Sequence, residues 1–177
     1  MGVPIGTRGA NMTVEAIKRF TILEGLTPEE SDTILQRCQI TPVRKGEKVF
    51  EAGGPANCLF LVRSGKIELR FKVVYFNGSV EVPLEKMGAG AVIGWSALIA
   101  PHRYTLTGYA TEDSELLQIS RTEFEACCEA NPRAGYLVMR NIARIIGERY
   151  EFVRQILAGE IQSDLKKKED HTLWKTD

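Results

Sequence analysis

The chain has 177 residues, of which 44% are hydrophobic and 26% are charged, which is ordinary for one globular domain with a peripheral element. Lys and Arg together number 23, and so do Asp and Glu, so the formal net charge is zero. This balance gives no support for a protein that binds nucleic acid by itself, because such proteins usually have a basic excess.

The first residues match neither a secretory leader nor the myristoylation signal, since Gly6 stands where a Ser or Thr is required. We therefore expect residues 1–11 to be a disordered leader, and Met12 is an alternative to Met1 as the natural start. No apolar run approaches the roughly 20 residues of a membrane helix. The protein is accordingly expected in the cytoplasm, without a membrane contact.

Two helical segments are predicted before residue 39. In the first, Val14, Ile17 and Phe20 recur at nearly helical spacing. The second starts at Thr27, which is a good N-cap, and continues with Pro28 and two acids that suit the positive end of the helix dipole. Both segments are short and come before any strand signal.

From residue 39 the hydrophobic period changes to about two. Short apolar or alternating runs follow at regular spacing, and Asn77-Gly78 is the strongest hairpin signal between them. Many short antiparallel strands with glycine turns are typical of a sandwich or jelly roll. We therefore predict an α+β, mainly β fold: a jelly-roll β-roll over residues 39–119, flanked by N-terminal helices and a long C-terminal helix.

Helical periodicity returns over residues 121–160, which completes a predicted domain of residues 12–160. One stripe of the last helix recurs at alternating steps of three and four, and it consists of Ile142, Ile145, Arg149, Phe152 and Ile156. Such a stripe packs either on the chain's own β-roll or on a second copy. Residues 161–177 contain three consecutive lysines and are predicted to be a flexible, solvated tail.

Signals for catalysis or metal binding are missing from the sequence. The four cysteines lack C-x-x-C spacing, and the two histidines, His102 and His171, are too few for a metal enzyme on a jelly roll. No G-x-S-x-G, P-loop or H-E-x-x-H motif is present. We expect structural thiols in a reducing cytoplasm, no metal and no enzymatic activity.

Three stretches of the sequence carry a family resemblance. They are K-G-E at residues 45–47 with the glycine pair at 53–54, L-F-L-V-R-S-G-K-I at 59–67, and M-G-A-G-A-V-I-G at 87–94. In this order they resemble the cyclic-nucleotide-binding domain of the catabolite-activator type (Crp/Fnr) of bacterial regulator, over about residues 20–160. The resemblance implies a β-roll between helices, cyclic AMP or cyclic GMP as the ligand, and a homodimer through the long helix. The regulators' DNA-binding domain lies outside it, so no direct DNA binding is expected.

In that family a Gly-Glu pair opens a short helix. Its amides and an Arg on the next strand hold the cyclic phosphate, as suits a helix N-terminus and a guanidinium, while the Glu accepts from the ribose. The resemblance carries the ligand-binding role onto Gly94, Trp95, Ser96, Ala97, Leu98, Arg103, Tyr104 and Thr105.

The sequence departs from the family pattern at Trp95, which stands where the ribose-binding Glu belongs. An indole has one donor and no acceptor, so Trp95 either stacks on a ligand or plugs the pocket. The register of the next strand also leaves two candidates for the phosphate position, Arg103 and Tyr104, because a slip of one residue reverses the face of a strand.

These observations predict a stand-alone sensor or regulatory module. It binds a small anionic ligand, with a cyclic nucleotide as one candidate, and signals through its C-terminal helix to a protein partner. The alternatives are the effector half of a Crp/Fnr-type transcription regulator without its own helix-turn-helix, and a degenerate interaction domain that binds no ligand.

Overall fold

A computed structural model describes residues 20–173 of the chain, with side chains described as far as residue 167. The predicted leader, the alternative start at Met12 and the first part of the predicted N-terminal helix lie outside these residues. The elements are a 3₁₀ turn (Thr21–Leu23), α1 (Pro28–Leu35), β1 (Gln39–Val43), β2 (Lys48–Phe50), β3 (Cys58–Ser64), β4 (Ile67–Tyr75), β5 (Gly78–Met87), β6 (Val92–Ile93), a second 3₁₀ turn (Trp95–Leu98), β7 (Thr107–Ala110), β8 (Ser114–Ser120), α2 (Arg121–Ala130) and α3 (Pro132–Leu173).

The strands form two antiparallel four-stranded sheets, with the orders β1-β8-β3-β6 and β2-β7-β4-β5. Strand pairs such as β1 with β8 and β2 with β7 join distant parts of the chain, as in a jelly roll. The side chains of β3 and β8 are largely buried, because these strands lie inside their sheet rather than at its edge. The predicted fold class, a β-roll flanked by helices, is confirmed.

The hairpin predicted at Asn77-Gly78 is also confirmed, since β4 and β5 pair from Ile67 to Tyr75. The third strand, β7, pairs only with residues 67–70 of β4. Beyond that point the hairpin is a two-stranded ribbon. Phe71, which continues the apolar face of β4, is therefore 52% exposed, although its alternating pattern predicts a half-buried strand.

Helix α1 begins as its sequence predicts. The Thr27 hydroxyl accepts from the Glu30 amide at 3.2 Å, and the Thr27 amide donates to the Glu30 carboxylate at 2.9 Å. This reciprocal pair is a capping box. The Glu30 carboxylate also accepts from Arg133 at 2.7 Å and from Asn131 at 3.3 Å, so the same side chain ties α1 to the start of α3.

Helix α3 continues to Leu173, past residue 160, where the sequence predicts a flexible tail. The extension, residues 161–173, contains no proline, and seven of its thirteen residues are Gln, Leu, Lys or Glu, which are good helix formers. The described residues divide into two compact units, one that contains the β-roll and ends at Met139, and one that contains the remainder of α3 and begins at Arg140. Among the helices of residues 20–173, none has the length and apolarity to cross a bilayer.

We predict that two glycines with the same backbone conformation respond differently to alanine. Gly46 and Gly65 have φ of 86° and 82°, which costs an L-residue about 1–2 kcal/mol. A Cβ at Gly46 meets no atom within 4 Å, whereas at Gly65 it lies 2.6 Å from Ser114 Cα and 2.7 Å from the Asp113 carbonyl oxygen. Gly65→Ala should therefore lower the free energy of unfolding by about 1–3 kcal/mol more than Gly46→Ala.

Urea denaturation of both variants measures this difference. Equal losses would contradict the close approach of residue 65 to the turn before β8.

Candidate functional site

The short helix predicted to hold a phosphate is present as the 3₁₀ turn Trp95–Leu98. It follows Gly94, whose φ of 71° lies in the left-handed region. A Cβ on Gly94 would lie 3.2 Å from Cys58 O, Phe60 and Tyr104 alike. The conformation and the tight surroundings both explain why glycine stands at this position.

The amides of this turn are partly used by the turn itself. The Ala97 amide donates to the Gly94 carbonyl at 3.0 Å, and the Ile99 amide donates to the Ser96 carbonyl at 3.3 Å. Ser96 and Ala97 are buried, while Trp95 and Leu98 are half-buried. The turn thus presents fewer free donors than a longer α-helix, which leaves its first four amides unpaired.

The next segment is held by a backbone ladder to the loop after β2. The Gly53 amide donates to the Tyr104 carbonyl at 2.7 Å, the Tyr104 amide donates to the Gly54 carbonyl at 3.1 Å, and the Ala56 amide donates to the His102 carbonyl at 2.8 Å. Side chains along such an extended segment alternate in direction. The ladder therefore decides which side chain turns inward.

Tyr104 is the residue that turns inward, with 8% of its surface exposed. Its ring stacks on Phe50 at a centroid distance of 4.4 Å, and Phe50 stacks on Phe60 at 5.9 Å. Its hydroxyl donates to the Cys58 carbonyl at 2.8 Å. Burial raises the pKa of Tyr104 to about 12, so the phenol is neutral at physiological pH.

Arg103 and Thr105, on either side of Tyr104, are exposed. The Arg103 guanidinium donates to the carbonyl of Gly53 and does not enter the interior of the β-roll. Of the two registers that the sequence leaves open, the structure has the one with Tyr104 inside. Ligand binding by these residues stays a prediction.

The predicted stripe of the last helix changes from buried to exposed along its length. Ile142 is 1% exposed, and Phe152 and Ile156 are 40% and 43% exposed. Ile145 and Arg149, between them, are half-buried. Further apolar side chains beyond the predicted stripe, Leu157, Ile161 and Leu165, are 51–59% exposed. Within the described residues, the second half of the stripe therefore exposes apolar surface.

The four cysteines are free thiols. Cys38 and Cys127 are buried, and Cys58 and Cys128 are half-buried. Burial raises the pKa of the Cys38 thiol to about 12, which makes the nucleophilic thiolate rarer there. Among the residues that the structure describes, no group of His, Cys, Asp and Glu is arranged to hold a metal.

The structure also has a concavity that the sequence did not indicate. It has a volume of about 700 Å³ and lies between β1 and β2. Of the predicted ligand-binding residues only Tyr104 lines it. One residue in the sequence could have indicated this concavity. Gln118 is a polar residue of β8 that pairs in register with the apolar Phe60 of β3, and the side chains of both strands are largely buried.

Comparison with known proteins now identifies the class. The cyclic nucleotide-binding domain profile matches residues 40–131, which is just over half of the 177 residues. The chain belongs to the cyclic nucleotide-binding domain family. This confirms the resemblance drawn from the turns at residues 45–47 and 87–94.

Particular relatives agree with this assignment. A cyclic AMP receptor protein of Thermus thermophilus is 31% identical over 133 residues, covering 75% of this chain and 58% of that protein. Glutaminase 1 of Bradyrhizobium diazoefficiens is 30% identical over 128 residues, covering 72% of this chain and 20% of that protein. The crystal structure of the T. thermophilus catabolite activator protein matches with a TM-score of 0.64 and 28% identity, covering 83% of this chain and 63% of that one. The chain thus spans less than two thirds of each of these relatives.

We predict that the buried phenol of Tyr104 makes the free energy of unfolding depend on pH. Because its folded pKa of about 12 lies above its ordinary value of 10.0, its stabilising contribution is complete below pH 10. That contribution is lost as pH rises through 12, since the unfolded state releases the proton first. The loss should be on the order of 2 kcal/mol.

Tyr104→Phe should remove this pH-dependent contribution to stability. At neutral pH it should lower the free energy of unfolding by about 1 kcal/mol, because the hydrogen bond of the phenol is lost. Denaturation at a series of pH values measures both effects, with Tyr109→Phe, outside the aromatic cluster, as the control. A pH dependence that is identical in the wild type and Tyr104→Phe would contradict a buried phenol.

Proposed function

We propose that this chain is a regulatory sensor module that recognises a small anionic ligand without the ordinary cyclic-nucleotide contacts of its family. It acts as a homodimer through α3 and passes its state to a protein partner. The observation that carries this proposal is the inward placement of Tyr104, with Arg103 bonded outward to the Gly53 carbonyl.

The inward side chain offers a phosphate no positive charge. The family resemblance implies a guanidinium at the phosphate position, and here the inward side chain is a neutral phenol whose hydroxyl already donates to Cys58. A cyclic phosphate placed against it would lose water without gaining a positive partner, which costs several kcal/mol. This supports the loss of the ordinary phosphate contact.

The ribose contact of the family is also changed in this chain's sequence. The resemblance implies a Glu that accepts from the ribose hydroxyl, and Trp95 has no acceptor to offer. The two departures lie on different segments and act on different parts of the nucleotide. Together they support a changed ligand rather than a weakened version of the same site.

The lengths of the relatives support a regulatory role. The family domain makes up only part of the relatives it matches, 58% of the receptor protein and 20% of the glutaminase. A domain that accompanies unrelated chemistry in this way is suited to sensing and control. The exposed apolar side chains of α3 from Phe152 onward supply a surface through which a second copy would pack, at heptad-like spacing.

We expect isothermal titration calorimetry of the intact chain with cyclic AMP and cyclic GMP to show no micromolar binding. The double variant Trp95→Glu, Tyr104→Arg supplies both an acceptor and a cation, and it should gain measurable affinity for cyclic AMP. Thermal unfolding of the double variant checks that it remains folded.

The proposal would be overturned if the wild type bound cyclic AMP with micromolar affinity and this binding were lost in Arg103→Ala. Arg140→Ala, which changes an exposed arginine on α3, is the control and would retain the binding. Such a result would mean that Arg103 leaves Gly53 and enters the pocket when the nucleotide binds.

Dimerisation is predicted separately. Phe152→Glu together with Ile156→Glu should convert a dimer into a monomer, because each buried apolar side chain contributes about 1.5–3 kcal/mol per chain at an interface and the new carboxylates repel. Both side chains are at least 40% exposed in the single chain, so helix content should not change.

Analytical ultracentrifugation measures the mass and circular dichroism the helix content. Gln155→Glu, an exposed position between the two, is the matched control and should remain a dimer. A wild-type chain that sediments as a monomer at high micromolar concentration would exclude the homodimer.

A further inference from the structure

A groove lies where the two sheets of the β-roll part, between the edge strands β1 and β2. Its volume of about 700 Å³ is within the roughly 300–1,000 Å³ that small-molecule sites have. It shares one residue, Tyr104, with the predicted ligand-binding segment, and its other lining residues come from β1, the turn between β1 and β2, β2, β3, β8 and the loop before β3. None of residues 95–98 lines it.

The strands β1, β3 and β8 contribute a cluster of hydrogen-bonded side chains to the wall of the groove. The Thr41 hydroxyl donates to the Gln118 side-chain oxygen at 3.2 Å, and the Gln118 side-chain nitrogen donates to Cys58 Sγ at 3.2 Å. Thr41 is 4% exposed, and burying such polar groups is costly unless they are bonded. A side-chain amide has two donors and an acceptor with two lone pairs, so Gln118 retains hydrogen-bonding capacity for a ligand that enters the groove.

The floor of the groove is aromatic and stiff. Phe60 and Tyr104 both line it, and both belong to the stack with Phe50, in which Tyr104 lies 4.4 Å from the Phe50 ring. Because the hydroxyl of Tyr104 is fixed on the Cys58 carbonyl, its ring has little freedom to turn. A flat apolar floor of this kind suits a planar ring.

The rim of the groove carries one uncommitted cation. The Glu47 carboxylate accepts from the Arg44 backbone amide at 2.7 Å, and Lys48 pairs with Glu51 at 3.2 Å. The Arg44 guanidinium has no ion pair or side-chain hydrogen bond within residues 20–167. A free guanidinium is the group best shaped for a two-point contact with a carboxylate.

We propose that this groove binds a small aromatic carboxylate. The ring of the ligand lies against Phe60 and Tyr104, its carboxylate pairs with Arg44, and a polar ring substituent meets Gln118. The inference rests on the proposed sensing function and deepens it, because it gives the anionic ligand a site and a chemical class. Tyr104 would connect this site to the Trp95–Leu98 turn, since its ring packs beside Gly94.

The test titrates the intact, isotopically labelled chain with 4-hydroxybenzoate and follows its amide signals by nuclear magnetic resonance. The backbone signals of Thr41 and Tyr104 and the side-chain amide of Gln118 should shift together and reach saturation. The neutral analogue 4-hydroxybenzamide keeps the ring and the hydroxyl but lacks the charge. It should bind about tenfold more weakly, as expected for the loss of a charge-assisted hydrogen bond.

Two variants separate the groove from general electrostatic attraction. Arg44→Gln should weaken 4-hydroxybenzoate binding about tenfold or more. Lys45→Gln removes the same charge one residue away, at an exposed position that does not line the groove, and should leave the affinity within about twofold, consistent with screening of exposed charges.

Three results would overturn the inference: no saturable shift at millimolar 4-hydroxybenzoate, shifts confined to residues outside the groove, or equal losses in Arg44→Gln and Lys45→Gln. These failures are distinguishable from failure of the proposed function. If the chain binds neither 4-hydroxybenzoate nor cyclic AMP but sediments as a dimer, only this inference is contradicted. If the chain binds cyclic AMP through Arg103, the proposed function is contradicted as well.

Discussion

The side chain of Tyr104 is fixed in the interior by the backbone on both sides of it and by its own hydroxyl. Gly53 donates to its carbonyl, its amide donates to the Gly54 carbonyl, and its hydroxyl donates to the Cys58 carbonyl at 2.8 Å. These bonds join the loop after β2, the segment before β7 and strand β3. The ring closes the space beside Gly94, where a Cβ would lie only 3.2 Å from it. Tyr104 thus contacts the surroundings of the Trp95–Leu98 turn and also lines the concavity between β1 and β2.

The same constraint sets the electrostatics of the site. With Tyr104 inward, Arg103 faces outward and bonds to the Gly53 carbonyl, and the interior has a neutral phenol in place of a cation. Arg44, at the rim between β1 and β2, has no partner among the described side chains. The family fold is retained, while the proposed ligand contacts move from the Trp95–Leu98 turn to this rim.

Local signals in the sequence predicted most of the framework. Thr27 and Glu30 lie three residues apart and form the capping box, and Asn77-Gly78 closes the β4–β5 hairpin, because both motifs depend only on neighbouring backbone. The ribbon beyond residue 70 was predicted less well, since exposure of Phe71 depends on where β7 stops. The extension of α3 to Leu173 was also missed, because a charged sequence suits both a solvated helix and a tail.

The sequence by itself determined the fold class through its periodicity and turn residues. Its resemblance to a known family implied the family and the departure at Trp95, where an indole has no acceptor. Only the tertiary structure decided that Tyr104 and not Arg103 turns inward. The loop between the 3₁₀ turn and β7 passes through His102, whose φ of 56° is uncommon for a residue with a side chain. Counting along the strand therefore cannot fix the register, and long-range bonds to Gly53 and Gly54 fix it instead. The groove between β1 and β2 could not be predicted from the sequence either, because its lining residues come from distant segments of the chain.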